Sequence, residues 1–270
     1  MPISGKNDEW ALYADHRAHF TAALLAAAPE QQGRLCLLGA GRCNDVDLSR
    51  LLERFSEIHL VDISASALGE AVARAPATAR ARLHCHAPLD LSGMSTRLTT
   101  WKKKPPTFAE VEALAAATVT AITRRLPGPF DVVASACVLT QMSFQLTETL
   151  GNAHLMMGPI RQSLLVAHLR TLLELTGAGG KSLLVSDLTS SNVYPLDALP
   201  PGRALGQVMD DVVERNAFYL IANPTLIRRL LRREPSLRDR ATEPELIEPW
   251  LWTGAFDRTY LVYGFKLSLV

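Results

Sequence analysis

The stretch that decides the fold runs Leu35-Cys36-Leu37-Leu38-Gly39-Ala40-Gly41-Arg42-Cys43-Asn44-Asp45. Its first four residues are apolar without a break, the pattern of a strand buried on both faces of a parallel sheet. Gly39 and Gly41 then let the backbone turn sharply and approach a ligand where a Cβ would collide. A second apolar run, Ile58-His59-Leu60-Val61, closes on Asp62. An acid about 20 residues beyond the glycines, at the tip of the next strand, is placed to accept hydrogen bonds from ribose hydroxyls. Together these features predict a site for an adenosine-containing cofactor.

The residues after the turn narrow the choice. A dinucleotide fingerprint carries a third glycine where the helix N-terminus meets a pyrophosphate. Here that position is Asn44, followed by Asp45 and Asp47. Carboxylates would repel a pyrophosphate, whereas S-adenosylmethionine carries a sulfonium and an ammonium and no phosphate. The acidic helix start favours S-adenosylmethionine, with an NAD(P)-dependent oxidoreductase as the alternative.

Four further segments follow in order: a third strand within Arg82–Leu91 ending in the acid Asp90, a fourth from Pro129 to Leu139, a fifth over Gly179–Asp187 after a glycine helix stop, and a terminal strand from Arg258 to Leu267. The series resembles the class I S-adenosylmethionine-dependent methyltransferases over roughly residues 33 to 270. That resemblance implies an α/β fold, doubly wound, with a mostly parallel seven-stranded sheet whose last strand is antiparallel. It implies cofactor contacts from Gly39, Gly41, Asn44, Asp62, Ile63, Asp90, Leu91, Ala136 and Cys137. Two positions depart from the family pattern: Leu37 stands where an acid is common, and Cys43 replaces the third glycine of Gly-x-Gly-x-Gly. Asp45 or Asp47 is a candidate for the missing acid's place near the cofactor's amino group; the competing role is helix capping.

Composition suits one enzyme-sized domain: 270 residues, 48% hydrophobic and 20% charged. A formal net charge of +1 gives no general attraction to nucleic acid. Four cysteines form no Cys-x-x-Cys pair and read as reduced, mostly buried thiols, with Cys43 the exception beside the turn. No charged-then-apolar leader pattern and no apolar run near 18 residues is present, so a soluble, cytoplasmic protein without membrane contact is expected. The expected divisions are an N-terminal helix or lid (1–32), a cofactor-binding core (33–187), a helical cap (188–249) and terminal strands (250–270).

The additions to the core carry the candidate acceptor residues. Within a helix expected over Asn7–Ala28, Trp10, Tyr13, Arg17, Phe20 and Leu24 share one face. An arginine in that stripe either snorkels to water or, with Tyr13, meets a carboxylate of cofactor or substrate. Deleting the first 25 or so residues is expected to abolish transfer yet leave the sheet able to fold. Trp101-Lys102-Lys103-Lys104 reads as a solvated loop, and Thr107 with Glu110 as a capping box opening a helix through Arg125. Beyond the fourth strand, Gln141, Asn152 and His154 lie where substrates enter this fold, before a helix starting near Pro159. His154 is the candidate general base, against the plainer reading of a surface histidine. In the cap, Tyr194, Asn216 and Tyr219 are candidates to line the acceptor pocket or to pack in the core. Trp250 and Trp252 are expected on one face of the sixth strand. His84 and His86 share a strand face, but no further ligands converge in the sequence, so no metal site is expected.

Methyl transfer from a sulfonium draws mainly on proximity and orientation, so the lack of a catalytic triad does not argue against an enzyme. No Asn/Asp-Pro-Pro-Tyr/Phe motif follows the fourth strand; Ser135-Ala136-Cys137-Val138 stands there. This absence, the neutral charge and the apolar cap favour a small-molecule acceptor. A catalytically inactive binding or scaffold protein, using the basic loop, is the other reading.

Overall fold

The computed structural model of the chain describes residues 10–254 and 258–270. Seven strands form one sheet: β1 (Gly33–Leu38), β2 (Phe55–Val61), β3 (Leu83–His86), β4 (Phe130–Ala136), β5 (Thr176–Ser190), β6 (Glu245–Gly254) and β7 (Arg258–Ser268). Their order is β3-β2-β1-β4-β5-β7-β6. The pairs from β3 through β5 are parallel, and β7 enters antiparallel between β5 and β6. The apolar run at Leu35–Leu38 is continuous because β1 is flanked on both sides and covered on both faces. Leu35 and Leu37 face one core with Val132, Ala134 and Leu183, while Cys36 and Leu38 face the other with Val133 and Leu184.

Helices α1 (Ala14–Ala27), α2 (Leu48–Arg54) and α3 (Ala65–Arg74) cover the first face. The second is covered by α4 (Leu98–Lys103), α5 (Phe108–Arg125), α6 (Val138–Leu150), α7 (Met157–Leu175), α8 (Leu205–Glu214) and α9 (Pro224–Arg233). The capping box opens α5 as expected, with Thr107 N donating to Glu110 Oε2 (2.7 Å) and Glu110 N to Thr107 Oγ1 (3.3 Å). Trp250 and Trp252 are both buried in the first core.

Several boundaries differ from expectation. Val138 and Leu139 do not extend the fourth strand; Cys137 takes a left-handed φ of 54°, and a helix starts at once. Leu139, Met142, Leu146 and Leu150 then form its buried stripe. The third strand spans only Leu83–His86, β5 runs on to Ser190, and β6 starts at Glu245, so the cap is shorter than residues 188–249. The three lysines sit at and just past the end of α4 over buried Trp101, not in a free loop. Cys85 is exposed because β3 is an edge strand.

Residues 7–9 of the expected N-terminal helix lie outside the described residues. The described part of that helix is built into the core, since Phe20, Leu24 and Ala27 are buried with Trp250 and Trp252. Removal of this helix would take cover from both tryptophans.

Candidate functional site

The glycine turn is held from within the backbone. Gly39 N and Ala40 N both donate to Val61 O (2.9 and 3.0 Å). Gly39 has a φ of 73°, and a Cβ there would lie 2.6 Å from the Val138 side chain, so glycine is required. At the tip of β2, Asp62 accepts from Gly41 N through Oδ2 and from Ser64 N through Oδ1, each at 2.8 Å. A carboxylate has about four lone-pair positions, so both oxygens keep acceptor capacity. Ile63 beside it is 55% exposed, an aliphatic surface next to a hydrogen-bonding edge. Asn44 Oδ1 is buried and has no partner.

Asp90 is engaged within its own loop, accepting from Ser92 N (2.9 Å), Ser92 Oγ (2.7 Å) and Ser95 N (3.1 Å). Burial works to raise its pKa, but the hydrogen bonds from Ser92 and Ser95 prevail and hold it below the usual range. Leu91 is buried behind it.

Between the turn and the ends of β4 and β5 lies a buried polar group of side chains. Asp187 accepts from Cys137 Sγ (3.1 Å) and Thr140 Oγ1 (3.0 Å). Burial pushes its pKa up to about 6 against those two hydrogen bonds. Asp45 is pushed up to about 7, first by burial and then by Asp187, with Arg17 opposing. His16 is fully buried, accepts from Trp250 Nε1 at Nδ1 (3.1 Å) and points Nε2 at Asp45 Oδ1 from 3.5 Å. Burial, then His19, lowers its pKa to about 4, so it is neutral at physiological pH. His16 Nε2, Ser186 Oγ and Thr189 Oγ1 make no hydrogen bond among the described residues. Behind the turn, Phe20, Gly39, Cys43, Asp45 and Ala136 leave a cavity of about 10 Å³, the size of one water.

The expected acceptor residues do not all converge. Arg17 lies on the turn, donating to Asn44 O and Trp10 O (both 3.0 Å), with its Cζ 3.5 Å from the Trp10 ring centre. Arg74 flanks the same ring at 4.8 Å and donates to Arg42 O, so Trp10 straps the turn. Tyr13 packs instead on Trp252, at 4.7 Å between ring centres. Gln141 is exposed in the first turn of α6. Tyr219 donates to Ser190 Oγ (2.8 Å) at the end of β5.

His154 is not placed as a base. Its Nδ1 accepts from Met156 N (3.2 Å) and its Nε2 reaches Trp101 O (3.1 Å), leaving neither nitrogen for a substrate. The 13 residues of α6, about 20 Å of helix, separate this loop from Cys137. Asn152 accepts from Arg161 Nη2 (3.0 Å) and ties α6 to α7. Tyr194 donates to Asp211 beside Arg203, a structural network. Asn216, at a φ of 55°, ends α8: its N bonds Val213 O, and Ala217 N bonds Val212 O. Asp47 caps α2 through Ser49 N and Arg50 N (3.0 and 3.2 Å), which leaves Asp45 as the acid in the cleft.

Sequence reasoning missed His16 and Asp187. His16 precedes Phe20 and Leu24 at steps of four, and Asp187 was read only as the end of a strand. It also missed a set of side chains on β2 and β3. His59 pairs with His84 in the parallel register, and Glu57 shares their face.

No family model matches the chain, and no curated protein matches it in sequence. Its structure matches that of magnesium protoporphyrin IX methyltransferase from Synechocystis PCC 6803, solved with bound SAH. The two are 14% identical, with a TM-score of 0.51 over 100% of this chain and 89% of that one. This is the class I methyltransferase fold. Among other solved structures, the N-methyltransferase NodS from Bradyrhizobium japonicum WM9 is 11% identical over 97% of this chain and 99% of its own, with a TM-score of 0.48.

Proposed function

We propose that the chain is an S-adenosylmethionine-dependent methyltransferase with a small-molecule acceptor. The observation that carries this reading is Asp62, bonded to the Gly41 amide at the tips of β1 and β2 yet keeping acceptor capacity on both oxygens. The residues present fit the cofactor. Asp62 would hold the ribose hydroxyls, Ile63 would cover the base, and Asp45 would face the amino group. The orphaned Asn44 Oδ1 supplies a further acceptor.

S-adenosylmethionine, when bound, supplies a methyl group on a sulfonium, open to in-line displacement by a nucleophile about 3 Å away. The chain's own residues orient and enclose. Asp187, with its pKa near 6, is able to hold or release a proton at its carboxyl oxygens close to neutrality, the role assigned by sequence to His154. Trp10 and Arg17 close over the turn as a strap. Arg17, once freed, is a planar fork suited to a carboxylate of the acceptor. Phe144 and Leu220, 64% exposed each, suit an acceptor with an apolar part. Among the described residues no helix is long and apolar enough to cross a membrane.

Calorimetry with S-adenosylhomocysteine and NAD tests the reading. Binding of the first and not the second is expected; the reverse would replace it with a dehydrogenase. Binding of neither would select an inactive binding protein. Mass spectrometry of the native protein for retained cofactor and acceptor then identifies the substrate.

A further inference from the structure

We propose that Glu57, His59 and His84 form a binding site for one transition-metal ion of the zinc type, with His86 as its outer partner. The site lies on β2 and the edge strand β3, about 10 Å along β2 from Asp62 by strand rise, and is separate from the cofactor edge. One donor atom from each of the three residues lies within 4.8 Å of the others. Glu57 Oε2 and His59 Nε2 are already 3.3 Å apart. Two ligands at about 2.0–2.1 Å on a tetrahedral ion stand close to that distance. Bringing His84 in requires only a small side-chain rotation, because it sits opposite His59 in the register with the two rings stacked at 4.6 Å.

The surroundings supply what a metal site needs beyond its ligands. Ligating histidines donate their second ring N–H to a fixed acceptor, and ligating carboxylates are themselves hydrogen-bonded. His59 Nδ1 lies 2.9 Å from His86 Nε2, and Glu57 Oε2 accepts from Arg34 Nε at 3.1 Å. Ligation through Nε2 leaves the single proton of neutral His59 on Nδ1, where His86 Nε2 accepts it. The Arg34 guanidinium also donates to the carbonyls of Pro127 (3.0 Å) and Pro129 (3.1 Å), which fix its place beside Glu57. Two imidazoles and one carboxylate suit zinc, cobalt or nickel better than magnesium or calcium, which prefer oxygen. Such an ion would tie the edge strand β3 to β2.

The test is calorimetric titration of the full-length, chelator-treated protein with Zn²⁺, alongside Co²⁺ absorption spectra. We expect one ion per chain, a rise in melting temperature with Zn²⁺, and a cobalt spectrum lacking the thiolate charge-transfer band that Cys85 would give. His86→Ala should weaken binding about 10–100-fold, and His84→Ala more. His84 is partly exposed, so that variant should fold; Glu57→Gln is a second, isosteric check. Absence of one-to-one binding in the wild type, or equal affinity in His84→Ala, would overturn the proposal.

Discussion

Asp62, just past the end of β2, and Asp187, near the end of β5, lie only three strands apart in the sheet order, yet their surroundings make them different acids. Asp62 is bonded by two backbone amides, and Asp62→Ala should lower S-adenosylhomocysteine affinity by at least ~1.5 kcal/mol, about tenfold, because ribose hydroxyls would lose a charged partner. Unchanged affinity by calorimetry would assign the ribose elsewhere. Asp187 moves from an ordinary 3.8 to about 6. Below about pH 4 its proton is bound in folded and unfolded chains alike. Between about 4 and 6 the unfolded chain ionises first, so ionisation of Asp187 costs stability as pH rises. Asp187→Asn should therefore gain on the wild type across that window, by up to about 2–3 kcal/mol at pH 8. Melting temperatures measured from pH 4 to 8 check this, and a constant difference would contradict it. Asp45, pushed up to about 7, gives a binding counterpart. Affinity for the cationic amino group of S-adenosylhomocysteine should rise as pH rises through about 7, and Asp45→Asn should flatten that rise in the same titrations.

At the scale of elements, α1 has two jobs divided along its length. Its second half is core, and Phe20→Ala should cost about 3–5 kcal/mol in denaturant unfolding, because Phe20 is 2% exposed among Leu24, Leu51 and Trp250. Arg17 in its first turn and Trp10 before it form the strap. Trp10 is 38% exposed between two guanidinium groups. Exposed cation–π contacts are worth about 0.5–1 kcal/mol each, so Trp10→Ala should speed S-adenosylhomocysteine association roughly 3–10-fold with little change in melting temperature. Stopped-flow binding reads the first and a thermal scan the second; an unaltered association rate would mean that the strap does not gate the turn. Helix α6 shows where sequence reading stopped short. Its stripe at 139, 142, 146 and 150 was visible as a helical period, but the apolar run of β4 flows into it without a turn residue. The break lies in the left-handed backbone of Cys137, which no residue type announces.

Over the whole molecule, each face of the sheet carries its own core, and alternate residues of β1, β4 and β5 serve one or the other. The parallel strands all end at one edge, so the glycine turn, Asp62, Asp90, Cys137 and Asp187 gather there although they are scattered along the chain. The antiparallel β7 carries β6 back to the first face, where Trp250 and Trp252 grip His16 and the segment before α1 through Nε1 hydrogen bonds (3.1 Å each). The placing of the N-terminal segment over the glycine turn thus depends on the last strands of the chain.

What the sequence determined by itself is the sheet and the edge where its glycine turn and Asp62 meet. Continuous apolar runs require strands buried on both faces, and the glycines and Asp62 act within one strand-helix-strand unit whose spacing is local. What only the tertiary structure decided is which polar side chains meet. His154 and Asn152 lie at a plausible edge by sequence, but α6 carries them away and gives their hydrogen-bonding groups to Trp101 and Arg161. His16 and Asp45 meet because β6 pulls α1 across the sheet, and Glu57, His59 and His84 meet because of the β2–β3 register. Such encounters rest on contacts between segments far apart in sequence, where the chain's local periodicities carry no information.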